Sequence, residues 1–150
     1  MLDRAAILTM IPHQGAMCLL DGVRSWSASH IACFAHSHLD PANPLRRDGR
    51  LSSICGCEYG LQAAAVHGAL LAGGRPGAAG YVAALQITRA AADRLDHPAS
   101  GSTMTVEADL ELADAGGLIY RFALRAEDGG LLLEGRGTVV LPGRARDQAA

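Results

Sequence analysis

Residues 55–74, CGCEYGLQAAAVHGALLAGG, decide how the rest of the chain is read. The stretch is long enough for several helical turns, and it is made almost wholly of small and apolar residues. It nevertheless carries one acid, Glu58, with Gln62 a single turn later. Ser52 or Ser53 supplies a side-chain oxygen suited to an N-cap, and Gly73-Gly74 supplies the stop. Gly56, Gly60 and Gly68 would each weaken a helix by up to about 1 kcal/mol, so a close neighbour is expected to need the space. A strongly twisted sheet wrapped around the helix answers that need. A coding bias toward Ala and Gly is the alternative, and the helix stands under either.

Working outward, MCLLDGVRSWS and HIACFAHSH upstream are short runs of β-formers joined near Ser27 to Ser29, which predicts a first hairpin. LDPANPLRRDGR then reads as loop, because two prolines, Asn43 and an Asp-Gly pair interrupt regular structure. Downstream, GYVAALQITRA, STMTVEADLELA, LIYRFALRAE and LLLEGRGTVVLP read as four strands separated by turn residues. The order ββαββββ predicts an α+β fold, an antiparallel sheet of about six strands with one central helix. The 150 residues suit one domain, with a core from about 11 to 142 and loosely ordered tails.

A hydrophobic fraction of 49% with 19% charged residues describes a globular chain rather than a disordered one. The net charge of −2 leaves no electrostatic case for nucleic acid or an anionic membrane surface. The first residues lack a secretory pattern, and no apolar run reaches the roughly 18 residues of a membrane span. The cytoplasm is therefore the expected compartment. Cys18, Cys33, Cys55 and Cys57 are then expected to be reduced and to pack as small hydrophobes. A metal site is not expected, since helix positions i and i+2 face different ways and no second Cys/His pair stands at zinc spacing.

Glu58 and Gln62, at i and i+4, share a helix face. Two readings of the acid stand on spacing alone. Buried without a partner, it would hold its proton more tightly and act as a general acid or base, with Gln62 orienting it. Otherwise it favours the helix dipole from the first turn. His67 lies nine residues on, roughly opposite Glu58, and reads as a packing or interface histidine. Strand alternation would put His36 and His38 on one face at the end of the second strand, and His13 sits in IPHQGAMCLLD.

IPHQGAMCLLDGV resembles the opening motif of the hotdog-fold 3-hydroxyacyl-[acyl-carrier-protein] dehydratases, and EYGLQ resembles their helical E-A-x-A-Q. The late strands fall where that family's sheet strands fall. The combination of HLDPANPLRRDGR with EYGLQAAAVHGALLAGG is more similar still to a branch associated with aryl polyene and related polyketide-type lipid pathways. The resemblance runs from about Ile11 to Pro142. It implies a hotdog fold, in which two copies pair into a continuous sheet and share sites at the seam.

What the resemblance implies for chemistry is a dehydratase of acyl thioesters, carried on acyl carrier protein or coenzyme A. In such enzymes a histidine from one protomer removes the proton α to the thioester, and a helix carboxyl from the other protonates the departing hydroxyl. Glu58 matches that carboxyl. Backbone N–H groups at Ile54, Cys55 and Gly56 would polarise the thioester carbonyl. The family histidine, however, has no counterpart in NPLRRDGRLSSICG. His38 reaching in through the altered loop, Asn43 holding substrate or water, or loss of the chemistry are the options. Glu58 ranks first for direct participation, then Asn43 and His38, then His13, which matches a motif histidine more often structural. His13 and Gln62 are expected to line the substrate site.

Arg46, Arg47 and Arg50 would meet a carrier protein's acidic surface or the phosphate of its phosphopantetheine, against the plainer reading of a solvated basic loop. No cofactor is expected beyond that substrate-carrying arm. Two other functions are weighed: thioester hydrolysis, which fits the missing histidine, and a degenerate subunit that binds acyl chains or completes a heterodimer. A homodimer is the expected assembly, with a hotdog heterodimer or a higher oligomer as alternatives.

Overall fold

The computed structural model describes residues 1–76 and 80–140. Part of the GGRPG turn, the Leu141-Pro142 limit of the expected core and the C-terminal tail lie outside the described residues. Strands β1 (Leu2–Asp3), β2 (Gly22–Trp26), β3 (His30–Ala35), β4 (Tyr81–Ala90), β5 (Met104–Ala113), β6 (Gly117–Arg125) and β7 (Leu131–Val140) form one seven-stranded sheet. Its order is β1-β2-β3-β5-β6-β7-β4, with every neighbouring pair antiparallel. Helix α2 (Gly56–Leu71) packs chiefly against β3, β5, β6 and β7. This is the hotdog arrangement, with the sheet curled around one long helix.

Expectation and structure agree on the hairpin at Ser27 to Ser29, on the four later strands and on the helix stop, where Gly73 and Gly74 both take positive φ. The N-terminal tail is a correction. Leu2 pairs with Val23, Asp3 caps a short helix α1 (Arg4–Leu8) by accepting from the Ala6 N–H, and Ile7 is fully buried. A two-residue strand and a five-residue helix carry too little pattern to be recognised by periodicity.

The need for small residues on α2 has a specific cause. The ring of Phe122, on β6, lies directly over both Gly60 of the helix and Gly135 of β7, so that a Cβ at either position would collide with it. That ring at Gly60, with Leu124 and Leu133 against Gly56, sets how closely helix and sheet approach. Along α2 the positions facing the sheet are buried, including Tyr59, Gln62, Ala63, Val66 and His67. Ile54, Glu58, Leu61, Ala65 and Gly68 form the remaining stripe, exposed or half-buried. Beyond the helix, all ten residues of β4 are exposed, among them Tyr81, Val82, Leu85 and Ile87, and among the described residues the outer edge of β4 pairs with no strand. The stripe and β4 meet where Leu61 and Leu85 both approach Gly137.

Candidate functional site

The lead-in to α2 is a 3-10 turn, Ser53–Cys55, capped by Ser52, whose Oγ accepts from the Ile54 N–H at 3.4 Å. The Cys55 N–H donates to Ser52 O at 3.0 Å and the Gly56 N–H to Ser53 O. All three amides expected to polarise a thioester carbonyl are therefore already engaged. This corrects that expectation: the tight turn consumes donors that a bare helix start would leave free.

Glu58 stands on the first turn of α2, exposed, and its carboxylate makes no hydrogen bond or ion pair among the described residues. Gln62 does not orient it. The Gln62 side chain is buried, its Oε1 accepting from the Leu19 N–H at 2.8 Å and its Nε2 donating to Met17 O at 2.7 Å. An i, i+4 pair shares a face only loosely, and here the edge of the sheet-covered region falls between the two side chains. Gln62 pins the 17–19 segment to the helix.

Asn43 is likewise committed. Buried, it donates through Nδ2 to Ser37 O (2.9 Å) and to the Tyr59 hydroxyl (3.0 Å), and its Oδ1 accepts from the Leu45 N–H (2.9 Å). This leaves it placed to hold the loop onto α2 rather than to activate water at Glu58. Ser37 Oγ lies 2.8 Å from the Tyr59 hydroxyl and donates to Leu19 O at 2.6 Å. Burial pushes the Tyr59 phenol above its usual range.

The histidines are dispersed. β3 ends at Ala35, so His36 and His38 do not share a strand face: a 3-10 turn, Ser37–Leu39, leaves His36 exposed and tucks His38 inside. His38 is 1% exposed, its Nε2 is 3.2 Å from Gly101 O, and its Nδ1 is enclosed without a partner among the described residues. Burial leads in lowering its pKa, which favours the neutral ring. Its enclosure removes it as a base reaching Glu58 through the loop. His67 is fully buried, its Nδ1 2.7 Å from the Tyr120 hydroxyl and its Nε2 2.8 Å from Ser27 O, a packing role as expected. His30 bonds Asp109 on the sheet's outer face, and His97 caps the turn at Pro98–Ser100. His13 is half-buried with Nδ1 enclosed.

Arg46 is not available to a carrier protein. Its guanidinium donates to Asp40 O, His38 O, Gly49 O and the Asp96 carboxylate. Asp96 is buried between Arg94 and Arg46, and the Arg94 hydrogen bonds, with help from Arg46, hold its carboxyl far below the usual carboxylate range. Arg47 and Arg50 are exposed and face each other across a two-residue turn, in which Asp48 and Gly49 both take positive φ. The thiols of Cys18, Cys33, Cys55 and Cys57 are raised by burial, Cys33 to about 12, so none is a ready nucleophile. A cleft of about 500 Å³ lies behind the 36–43 loop, lined by Arg4, Cys18, Asp21, His36, Asp40 and Asn43 among others. Glu58 is not part of it.

The open helix stripe that carries Glu58 thus meets β4 at Leu61, one turn along from the acid. No helix among the described residues is long and apolar enough to cross a membrane. The fold is similar to that of the dehydratase heterocomplex ApeI:P from Xenorhabdus doucetiae, with a TM-score of 0.73, 20% identity and coverage of 91% of this chain and 90% of that one. It is also similar to a hypothetical thioesterase from Streptococcus pneumoniae TIGR4 with coenzyme A (TM-score 0.58, 12% identity, 79% and 83% covered). A third neighbour is thioesterase superfamily member 2 from Mus musculus (TM-score 0.54, 16% identity, 79% and 80% covered). No curated protein matches the sequence. The description of ApeP-like proteins, ApeP dehydratase, matches residues 5–149. With nearly its whole length inside that match, the chain belongs to the ApeP-like family of hotdog-fold dehydratases.

Proposed function

We propose that this chain is the acid-bearing half of a 3-hydroxyacyl-thioester dehydratase, and that a second hotdog chain added along β4 completes the site. The observation that carries this reading is the contrast between Glu58 and the histidines. Glu58 is unbonded on the open stripe, whereas none of the six histidines is bonded to it and the most enclosed, His38 and His67, are locked in the core. A partner's side chain then removes the proton from C2 of the substrate. The C3–O bond breaks as Glu58 gives its proton to the leaving hydroxyl, and water and a C2=C3 double bond result. A seam closed over Glu58 excludes water, the setting in which a carboxyl keeps the proton it must donate.

Arg47 and Arg50, presented side by side on their turn, suit the phosphate or acidic surface of an acyl carrier protein. The reaction needs no cofactor beyond the phosphopantetheine arm that carries the substrate, and fatty-acid or polyketide-type intermediates, including aryl polyene-like ones, fit this reading. The heterocomplex among the structural neighbours supports a heteromeric partner, with a homodimer as the other assembly.

The test incubates 3-hydroxyacyl carrier protein with the full chain, alone and with a second hotdog dehydratase chain. Enoyl product from the mixture is expected, with a loss of at least about 100-fold in Glu58→Gln. Charge reversal of Arg47 and Arg50 should raise KM for the carrier-bound substrate most at low salt. Release of free thiol without enoyl product would show hydrolysis instead, and a fully active Glu58→Gln would remove Glu58 as the acid.

A further inference from the structure

We propose that Tyr59 is a positioning residue for Glu58, acting through a ring of hydrogen bonds that fixes the first turns of α2; this rests on the reading of Glu58 as the acid. The start of α2 is capped only through the 3-10 turn that leads into it. Its N-cap position, Cys55, makes no side-chain capping bond, and Gly56 and Gly60 flank Glu58 within the first turns. A helix end of that composition frays unless tertiary contacts hold it. A misplacement of about 1 Å at a reacting group can cost about 100-fold in rate, so something must hold this end still.

The donors and acceptors around Tyr59 have only one consistent arrangement. Ser37 Oγ gives its single proton to Leu19 O, so across the 2.8 Å contact the Tyr59 hydroxyl must donate to Ser37. The oxygen of Tyr59 in turn accepts from Asn43 Nδ2. Leu19 closes the ring from its other side, its N–H donating to Gln62 Oε1. Tyr59 and Gln62 stand at i and i+3, on the same side of α2. The helix is thereby held at two points on the sheet-covered side, against the 17–19 segment and the 37–43 loop. Rotation of the first turn about its axis, the motion that would swing Glu58 away from a substrate at the seam, is blocked.

The experiment compares Tyr59→Phe, Ser37→Ala and Tyr120→Phe in the full chain, each with and without Glu58→Gln, in the dehydration assay. Tyr120→Phe removes the other buried tyrosine bond, to His67, and serves as the stability control. Tyr59→Phe and Ser37→Ala are expected to lower kcat about tenfold at unchanged KM, and this loss should vanish in the Glu58→Gln background. Amide hydrogen exchange should quicken at Gly56 to Gly60 while Val66 to Leu70 stay protected. Tyr120→Phe should lower Tm and leave kcat unchanged. Wild-type kcat in Tyr59→Phe and Ser37→Ala, beside an inactive Glu58→Gln, would overturn the positioning role while leaving Glu58 as the acid. An equal loss of kcat in Tyr120→Phe would also overturn it, by showing general softening. A fully active Glu58→Gln would sink the functional reading itself.

Discussion

Asp96 shows what one side chain can hold in place. Its carboxylate, with 3% of the side chain exposed, receives both Arg94 and Arg46, and Arg46 in turn ties together the carbonyls of His38, Asp40 and Gly49. Removing the negative charge leaves the mostly buried Arg46 without its counter-ion. For a fully buried pair that costs about 3–5 kcal/mol. Partial solvation of both arginines reduces the expectation to about 2 kcal/mol for Asp96→Asn, roughly 6 °C in Tm. The pH dependence follows from the direction of the shift. A carboxyl whose folded pKa lies below its unfolded value of about 3.9 contributes in full above that value. The contribution fades as pH falls toward the depressed folded pKa. Melting curves of wild type and Asp96→Asn should therefore differ most above about pH 5 and draw together progressively as pH falls below about 4, and a constant gap would refute the assignment. In the sequence Arg46 reads as one of three loop cations, and its bond to Asp96, far along the chain, is what separates it from Arg47 and Arg50.

At the level of the element, α2 trades helix propensity for closeness. Replacing a helical glycine by alanine ordinarily stabilises by about 1 kcal/mol. At Gly60 the added methyl meets the Phe122 ring, which is confined on its other side by Gly135. Overpacking of this kind costs about 1–3 kcal/mol, so Gly60→Ala is expected to lose about 1 kcal/mol net. Urea denaturation would register this as an earlier midpoint, and a later midpoint would mean that the ring can move aside. The glycines of this helix were legible as a demand for a close neighbour. Which ring made the demand was not, because Phe122 is 62 positions away and reaches the helix only through the pairing of β6.

For the whole molecule, the asymmetry between the two sheet edges matters most. The β1 edge is two residues long, as protected edges usually are. The β4 edge runs for ten residues, exposed throughout, with Tyr81, Val82, Leu85 and Ile87 uncovered. Such an edge invites another strand. Ile87→Lys should leave the far-ultraviolet spectrum unchanged and shift the protein to the monomer in light scattering, with loss of dehydration. An unchanged assembly would place the partner elsewhere. On the proposed reading the same edge accounts for Glu58, expected at a shared seam, lying open in the single chain: a second hotdog chain would cover it.

By itself the sequence determined the hairpin, the helix with its stop at Gly73-Gly74, the four later strands and the acid that stands out on an apolar helix, because these depend on local periodicity and turn chemistry. Only the tertiary structure decided that Asn43 and Gln62 spend their amides on neighbouring backbone and Tyr59. It also decided that His38 is enclosed, that the Ile54 to Gly56 amides are used within a 3-10 turn, and that Ile7, with Leu2, Ala6 and Leu8 packed beside it, joins the core. The reason is that a polar side chain's role is set by whichever donor or acceptor the fold brings within about 3 Å of it, and that partner generally lies far away along the chain.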